Sequence, residues 1–266
     1  MVRGEWTSLK TEDCQLDTDL VRVRALLERA ARVVVLTGAG ISAESGVPTF
    51  RGPGGLWKQF RPEDLATPQA FARDPRLVWE WYGWRRGLIA QCAPNPAHRA
   101  LAAWMARTPG AVLVTQNVDD LHERAAREAG APEGPPRLLK VHGAIFRVRC
   151  TRCGIETAHE GTVDWASEAT LPHCACGGLL RPAVVWFGEM LPPDVIQAAF
   201  QAARDAEVCL VIGTAGAVYP AAGVVHEAQR AGAPVIVVDP GVTEYDGLAD
   251  VRLLAPAGEV LPTVLG

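Results

Sequence analysis

The sequence predicts an α/β protein in which a doubly wound parallel sheet carries a smaller lobe formed by insertions. Short apolar runs recur along the chain without the alternation of apolar and polar residues that marks a half-exposed strand. Helical segments lie between these runs, as in a parallel sheet with helices on both faces. A cysteine-rich segment interrupts the alternation and indicates the second lobe. The apolar runs are residues 33–36, 111–115, 183–187, 208–212, 234–238 and 251–254.

Composition places the chain among ordinary globular proteins. Its 266 residues suffice for one large domain or two small ones, with 48% hydrophobic and 21% charged residues. The net charge of −4 gives no reason to expect a nucleic-acid partner, and no apolar run approaches the roughly 20 residues of a membrane span. Seven cysteines, four of them clustered, favour a reducing compartment and a metal site over a disulfide scaffold. We therefore expect a cytoplasmic protein, and we expect a monomer.

The N-terminal segment, residues 1–17, is expected to be a frayed, polar lead-in, because it lacks the apolar core of a signal peptide. A helix follows it, and Asp17, Thr18 or Asp19 can cap that helix. The apolar face of the helix comprises Leu20, Val23, Leu27 and Ala30.

A glycine-rich turn directly follows the first apolar run. Residues 38–43, GAGISA, fit the pattern G-x-G-x-x-G/A at the end of a strand. Glycines in this pattern permit a tight turn and let backbone N–H groups approach a pyrophosphate at the N-terminus of a helix. The turn predicts a Rossmann-like nucleotide site, although a tight turn that binds no ligand produces the same pattern.

The residues after this turn distinguish the site from that of a dehydrogenase. Gly46 and Pro48 end any helix within two turns, where a dehydrogenase has a long helix. No acidic residue ends a second strand about 20 residues further on, where a dehydrogenase binds its ribose. Phe50 and Arg51 instead lie in a segment, residues 49–55, that predicts a mobile loop. We expect this loop to handle the nicotinamide end of the nucleotide.

Two insertions are expected to form the smaller lobe. Residues 56–105 are rich in tryptophan and are divided by prolines into short helices, and residues 144–181 carry the clustered cysteines. The nucleotide-binding lobe is then assembled from residues 18–55, 106–143 and 182–266.

Polar side chains follow the apolar runs at the edge of the sheet where α/β proteins bind ligands. Gln116, Asn117 and Asp119 come after the run 111–115. Their amides and carboxylate can bind ribose hydroxyls and a carboxamide, with turn and N-cap bonding as the alternative. His142 follows a further apolar run, where a neutral imidazole is well placed as a general base.

The clustered cysteines form a pattern typical of a zinc ribbon, with pairs at Cys150, Cys153 and at Cys174, Cys176. Four thiolates suit tetrahedral Zn²⁺, and its role is structural because no coordination position stays open. A single residue separates the second pair, which strains the turn, so His173 or His159 is an alternative to one thiol. A lobe in which these cysteines pack without metal is the other interpretation.

Four longer motifs occur along the chain: GAGISAESGVPTFRG at 38–52, TQNVDDLH at 115–122, VHG at 141–143 and VWFGE at 185–189. In this order they resemble the signatures of the sirtuins, the NAD-dependent protein lysine deacylases. The resemblance extends from about Leu20 to the C-terminus. It implies NAD and Zn²⁺ as cofactors and acylated-lysine proteins or peptides, bound in extended form, as partners.

The resemblance also implies roles for individual residues. His142 corresponds to the catalytic base, with Asn117 and Asp119 completing the catalytic set. Ser42, Asn117 and Asp119 line the nicotinamide pocket. Phe50 covers the cofactor. The implied NAD-binding residues are Gly38, Ala39, Gly40, Ser42, Phe50, Arg51, Gln116, Asn117, Asp119, Gly213, Thr214, Ala215 and Asp239.

Two of these positions depart from the family pattern. Ala215 stands where sirtuins have serine, so one hydroxyl contact to a phosphate or ribose is absent. Asp239 stands where they usually have asparagine at the adenosine ribose, and a carboxylate accepts from hydroxyls but cannot donate.

A further pair of residues bears on substrate choice. Tyr82 and Arg85 are three residues apart in a helical pattern, so both can point into one pocket. Arginine suits a carboxylate bidentately, tyrosine adds a third donor, and Ala66 leaves room. The alternative is a packed tyrosine beside a solvated arginine. The pair resembles that of class III sirtuins, which implies a preference for succinyl- and malonyl-lysine. Residues implied to hold the substrate peptide as an added strand are Val185, Trp186, Phe187, Gly188, Val218 and Tyr219.

The sequence thus predicts an NAD-dependent protein lysine deacylase that removes succinyl, malonyl and acetyl groups and yields nicotinamide and O-acyl-ADP-ribose. A plain deacetylase and an ADP-ribosyltransferase are alternative enzymes with the same pocket. Outside enzymes, the alternative is a non-catalytic NAD-sensing module. The presence of His142, Asn117 and Asp119 together speaks against that module, while Ala215 and Asp239 leave room for it.

Overall fold

The computed structural model describes residues 5–50, 55–56, 61–131 and 137–266, with side chains from residue 16 onward. Its strands are β1 (Val33–Thr37), β2 (Ala111–Thr115), β3 (Leu138–Lys140), β4 (Gly143–Cys150), β5 (Glu156–Ala158), β6 (Leu180–Val184), β7 (Val208–Ile212), β8 (Val235–Val238) and β9 (Val251–Leu253). Its helices are α1 (Glu5–Arg29), α2 (Ala39–Ala43), α3 (Pro62–Leu65), α4 (Pro68–Arg73), α5 (Pro75–Gln91), α6 (Pro96–Arg107), α7 (Leu121–Glu128), α8 (Pro193–Asp205), α9 (Gly223–Arg230) and α10 (Ala257–Leu265).

Six parallel strands form the main sheet, in the order β3-β2-β1-β7-β8-β9. The central strand β1 is paired on both sides, with Val33 opposite Ala111 of β2 and opposite Val208 of β7. The chain winds outward from β1 in both directions, so the strand order reverses between β1 and β7. This is the doubly wound Rossmann order, and it confirms the predicted fold class.

Both faces of the sheet are buried, which explains the unbroken apolar runs. Val33 and Val35 of β1 pack on one face, in a core that includes Leu101 of α6 and Leu261 of α10. The intervening residues, including Val34, pack on the opposite face against α8 and α9. A strand that buries both faces gains nothing from polar alternation.

The first helix begins earlier than the sequence predicted. A cap at Asp17–Asp19 was expected, with a polar lead-in before it, but α1 begins at Glu5. The segment from Glu5 to Leu16 contains neither glycine nor proline, so nothing in it ends a helix. Val23 and Leu27 are buried against the sheet, as the predicted apolar face requires. Within the part of the chain described, no helix combines the length and the apolar character that crossing a membrane demands.

The small lobe joins helices α3–α5 to an antiparallel sheet of three strands, in the order β5-β4-β6. Trp79 of α5 and Ile145 of β4 are fully buried in their shared core. Thr67 and Asp74 cap α4 and α5, because each side chain accepts a hydrogen bond from an N–H group of the first turn. Each cap precedes a proline that begins the helix, which explains why prolines divide this segment.

Two predicted lobe boundaries need correction. The apolar run 183–187 was assigned to the larger lobe, but its first residues belong to β6, where Ala183 pairs with Ala144 of β4 in the small sheet. Helix α6 was assigned to the helical insertion, yet Leu101 and Met105 pack in the core beneath the main sheet. Both segments are apolar enough for either lobe, so only the packing decides between them. The rest of the predicted division into lobes stays a prediction.

Candidate active site

A cavity of about 800 Å³ lies at the carboxyl ends of the main-sheet strands. One wall comes from residues that follow β1, β2, β7 and β8, including Gly38, Asn117 and Asp239. The other wall comes from α5 and from the segment after β6, including Arg85 and Trp186. Open α/β sheets bind their ligands in this place, where the strand order reverses.

The glycine-rich turn after β1 packs directly on the turn after β7. A Cβ atom added at Gly40 would lie 2.6 Å from the Cα atom of Gly213, and one at Gly38 would lie 2.6 Å from the Cβ atom of Thr214. The N–H groups of Gly38 and Gly40 donate to the carbonyl oxygens of Ile212 and Gly213. These two N–H groups therefore join the two turns and shape the cavity wall, and the approach of backbone N–H groups of this turn to a pyrophosphate stays a prediction.

Ser42, Asn117 and Asp119 form one hydrogen-bonded group. The Asn117 amide donates to the carbonyl oxygen of Gly38 at 2.9 Å and to the Ser42 hydroxyl at 3.2 Å. The Ser42 hydroxyl donates to Asp119 at 3.0 Å, and the other oxygen of that carboxylate accepts from the N–H of Leu121. Helix α2 spans only Ala39–Ala43, as Gly46 and Pro48 predicted, and it delivers Ser42 to this group.

This group only partly reaches the cavity. Asn117 lines it, but Ser42 and Asp119 are buried and lie behind the wall. Contact of those two side chains with a nicotinamide, which the sequence led us to expect, stays a prediction. Their observed contribution is to fix the orientation of Asn117.

Two buried histidines extend the network away from the cavity. His98 lies 3.4 Å from the Ser42 hydroxyl and 3.0 Å from the side-chain oxygen of Asn95, and His122 lies 3.1 Å from the Thr37 hydroxyl. Burial lowers the pKa of His98 to about 4 and lowers that of His122 well below its usual value. The link of His98 to Ser42 and that of His122 to Thr37 were missed, because they depend on contacts between distant segments.

Gln116 and His142 line the cavity. The Nδ1 atom of His142 lies 2.9 Å from the backbone carbonyl oxygen of Gln116, which can only accept, so Nδ1 carries the proton. The Nε2 atom is then the basic one. Burial lowers the pKa of this imidazole, although its bond to Gln116 acts in the opposite direction. A neutral histidine whose Nε2 atom has no hydrogen bond to another described residue suits the predicted role of general base.

Most of the other predicted NAD-binding residues also line the cavity. These are Gly38, Ala39, Gly40, Phe50, Gln116, Asn117, Gly213, Thr214, Ala215 and Asp239. The Gln116 amide donates to the Thr214 hydroxyl at 2.9 Å, and Asp239 accepts from the N–H of Gly241 at 2.8 Å. Arg51 lies outside the described residues.

Tyr82 and Arg85 project from α5 into the cavity, and both are buried. The Arg85 guanidinium lies over the rings of Phe50 and Trp81, at 4.6 and 5.0 Å from their centroids. Among the described residues it has neither a hydrogen bond nor an ion pair, and burial lowers its pKa. The alternative of a solvated arginine is therefore wrong. Trp81, which completes this pocket, was missed because a tryptophan-rich helix does not reveal which ring faces a ligand.

The predicted peptide-binding residues also line the cavity: Ala66, Val185, Trp186, Phe187, Gly188, Val218 and Tyr219. The N–H of Phe187 donates to the carbonyl oxygen of Ala66 at 2.9 Å, which ties the segment after β6 to the turn between α3 and α4. Phe187 and Tyr219 are partly exposed at 44% and 68%, so the rim offers apolar surface to a long ligand.

The four cysteines of the small lobe come together. All four Sγ atoms lie within 4.8 Å of one another, with 3.5 Å between Cys150 and Cys176 and 3.7 Å between Cys153 and Cys174. A tetrahedral zinc site with Zn–S bonds of about 2.3 Å separates its sulfur atoms by about 3.8 Å. The thiols fit Zn²⁺. The proposed substitutes are not needed, since His173 binds the carbonyl oxygen of Leu171 and His159 contacts Arg86.

Comparison with known proteins identifies one family and relatives that share one activity. The profile of the Sir2 family matches residues 38–220. NAD-dependent protein deacylase 2 of Pyrobaculum aerophilum is 48% identical over 92% of this chain and 94% of its own length. The NAD-dependent protein deacylase of Aquifex aeolicus is also 48% identical, over 87% of this chain and 93% of its own.

Solved structures agree with these relatives. A Sir2 homologue in complex with NAD superposes with a TM-score of 0.81 at 43% identity, covering 94% of this chain and 92% of that one. A Sir2 protein with a deacetylated p53 peptide and 3′-O-acetyl ADP-ribose superposes with a TM-score of 0.82 at 30% identity, covering 92% and 97%.

Proposed function

The chain belongs to the Sir2 family and is an NAD-dependent protein deacylase, and from this premise we propose that it acts preferentially on lysines that carry a carboxylated acyl group. Succinyl- and malonyl-lysine are the substrates of this class. The observation that carries the proposal is the buried guanidinium of Arg85, which lines the cavity without an acidic partner among the described residues.

A buried charge without a partner is costly, and a substrate carboxylate removes that cost. Desolvation favours the neutral form of Arg85, as the lowered pKa records. A carboxylate bound in the same pocket forms charge-assisted hydrogen bonds, which are about twice as strong as neutral ones. An acetyl group ends in a methyl and offers no such bond. The pocket therefore discriminates by charge.

The cavity residues fit NAD at the opposite end. Gly38 and Gly40 add no side chain to the wall formed with the turn after β7, and Asp239 offers a carboxylate that accepts from ribose hydroxyls. When bound, NAD supplies the ribose carbon that receives the acyl oxygen as nicotinamide leaves. We propose that Asn117 orients the carboxamide and that Gln116 and His142 contact the nearby ribose.

His142 is the base in this proposal. Its Nε2 atom takes a proton from a ribose hydroxyl, while Nδ1 stays bonded to the carbonyl oxygen of Gln116. Ser42 and Asp119 hold Asn117 in place through their hydrogen bonds, and all three side chains line the nicotinamide pocket in this proposal. Phe50 closes the cavity beside Arg85 and excludes water.

The zinc ion would be held by Cys150, Cys153, Cys174 and Cys176, and its role would be structural, not catalytic. Four thiolates leave no position for a substrate, so the metal stabilises the small lobe. The remaining parts of the proposal are a cytoplasmic, monomeric enzyme that binds acylated peptides in extended form and has no nucleic-acid partner.

A paired assay tests the proposal. The protein is incubated with NAD and with acetyl- and succinyl-lysine peptides of one sequence, and both peptides are followed by mass spectrometry. We expect faster loss of the succinyl group, with O-succinyl-ADP-ribose as product. Faster loss of acetyl would contradict the acyl preference and favour the plain deacetylase. NAD binding without release of nicotinamide would instead favour a binding module.

A further inference from the structure

Trp186 makes a hydrogen bond that fixes how the Tyr82 hydroxyl can bond to a ligand in the acyl pocket. Its indole N–H donates to the phenol oxygen of Tyr82 at 2.9 Å, and both side chains are buried and line the cavity. An indole N–H can only donate. The phenol oxygen is therefore the acceptor in this bond, and its own proton must point elsewhere. No hydrogen bond from Tyr82 to another described residue uses that proton.

The free proton of Tyr82 is available to a ligand. Burial raises the pKa of this phenol to about 12, so it stays protonated at neutral pH. Arg85 is three residues along the same helix, and its charge acts on Tyr82. The pocket thus presents one neutral donor and one cationic donor, which together match the two oxygens of a carboxylate.

The Trp186 indole that makes this hydrogen bond is itself held in place by several neighbouring groups. The guanidinium of Arg181 lies 3.3 Å from the centroid of the Trp186 ring. Arg181 forms a two-point ion pair with Glu189, at 2.5 and 3.0 Å, and a Glu189 oxygen accepts from the backbone N–H of Trp186 at 2.8 Å. The ring of Phe71 packs on the same indole. A ring fixed on this many sides offers its N–H in a single direction.

We propose that Trp186 is a positioning residue for acyl specificity: its indole N–H holds the Tyr82 hydroxyl as a hydrogen-bond donor aimed at the carboxylate of the substrate acyl group. This inference rests on the proposed function, since it concerns the same pocket. It adds a third member, 104 residues away in sequence, to the pair on α5.

The variant Trp186→Phe tests the inference, because phenylalanine keeps an aromatic ring beside Arg181 but lacks the N–H. For the succinyl peptide we expect KM to rise about threefold to tenfold beyond any change for the acetyl peptide, the range for one lost hydrogen bond. Because Trp186 also lines the peptide-binding part of the cavity, the readout is the ratio of kcat/KM for the succinyl peptide to that for the acetyl peptide, which should fall by this factor. The ratio of the two kcat/KM values is independent of the fraction of enzyme that folds.

Two controls sharpen the test. Trp79→Phe removes another buried indole bond, to the carbonyl oxygen of Leu180, at a residue that does not line the cavity, and should leave the ratio unchanged. Tyr82→Phe should lower the ratio, and the double variant Tyr82→Phe/Trp186→Phe should lower it no further. Additive losses in the double variant, or an equal loss on both peptides in Trp186→Phe, would overturn the inference.

The outcome separates this inference from the proposed function. If the wild-type enzyme prefers acetyl-lysine, or Arg85→Met leaves the ratio unchanged, the acyl-carboxylate proposal fails and this inference fails with it. If Arg85→Met lowers the ratio and Trp186→Phe does not, only the role of Trp186 is overturned.

Discussion

The guanidinium of Arg85 lies 4.6 Å from the ring centroid of Phe50, which joins helix α5 to the loop after β1. A cation over an aromatic ring is stabilised by about 0.5–2 kcal/mol, less than a buried ion pair with a carboxylate can provide. The contact therefore stabilises the guanidinium less than a negatively charged ligand would. The contact also connects the pocket around Arg85 to a residue of the loop after β1 that lines the cavity.

Replacing Arg85 by methionine should change substrate choice. Methionine keeps much of the side-chain volume but removes the charge, so a succinyl carboxylate loses its ionic partner. We expect kcat/KM for desuccinylation to fall about 10–100-fold, with deacetylation changed less than about threefold. The measurement is the paired peptide assay. An equal loss on both peptides would remove this residue from acyl recognition.

Replacing His142 by alanine should abolish turnover without unfolding the protein. The side chain supplies the only basic nitrogen that we assign to the reaction, and loss of a general base costs about 10²–10⁴-fold in rate. Thermal unfolding and NAD binding, followed by calorimetry, should remain close to those of the wild type. Turnover near the wild-type rate in this variant would contradict the assignment of the base.

Replacing Gly40 by alanine should disrupt the wall of the NAD site. The added Cβ would lie 2.6 Å from the backbone of Gly213, and overpacking of this kind costs about 1–3 kcal/mol. Gly87→Ala is the matched control, because that glycine lies on the exposed side of α5 with no atom within 4 Å of the added Cβ. The control should gain up to about 1 kcal/mol of stability, measured by urea unfolding. Equal stability of the two variants would contradict the described contact.

Folding stability should decrease as the solution becomes acidic. Burial lowers the pKa of His98 from 6.5 to about 4, so the unfolded chain binds a proton in this interval that the folded protein does not. This residue therefore leaves the free energy of unfolding unchanged above pH 6.5 and lowers it as the pH falls towards 4. Between pH 7 and pH 5 this residue contributes a loss of about 2 kcal/mol. In His98→Gln the pH-dependent loss should be smaller by that amount, and an unchanged dependence would place the lowered pKa elsewhere.

Zinc should be bound at one ion per chain and should stabilise the small lobe. Metal analysis by mass spectrometry tests the stoichiometry, and a strong chelator should lower the unfolding temperature until Zn²⁺ is restored. Cys153→Ser should lose the metal, because one of four ligands is removed. Cys209→Ser is the control, since that thiol is buried in β7 away from the cluster. Full zinc content in the first variant would contradict a four-thiolate site.

The sequence alone determined those features that depend on local patterns. All residues of Val33–Thr37 and Val208–Ile212 are buried, and all except Thr37 are apolar. A parallel sheet covered on both faces requires such strands. Gly46 and Pro48 limited α2 to a single short helix, and the spacing of the four cysteines predicted that their thiols converge. The positions of Gln116, Asn117 and His142 at strand ends placed them at the ligand-binding edge.

The tertiary structure alone decided which distant groups meet. It moved Ser42 and Asp119 behind the cavity wall, placed β6 in the small sheet and left Arg85 without an acidic partner in the described chain. It also brought the indole of Trp186 to the hydroxyl of Tyr82. Periodicity records which face of an element is buried, but not what covers that face. The partner of a buried polar group depends on how whole elements pack, and local sequence does not contain that information.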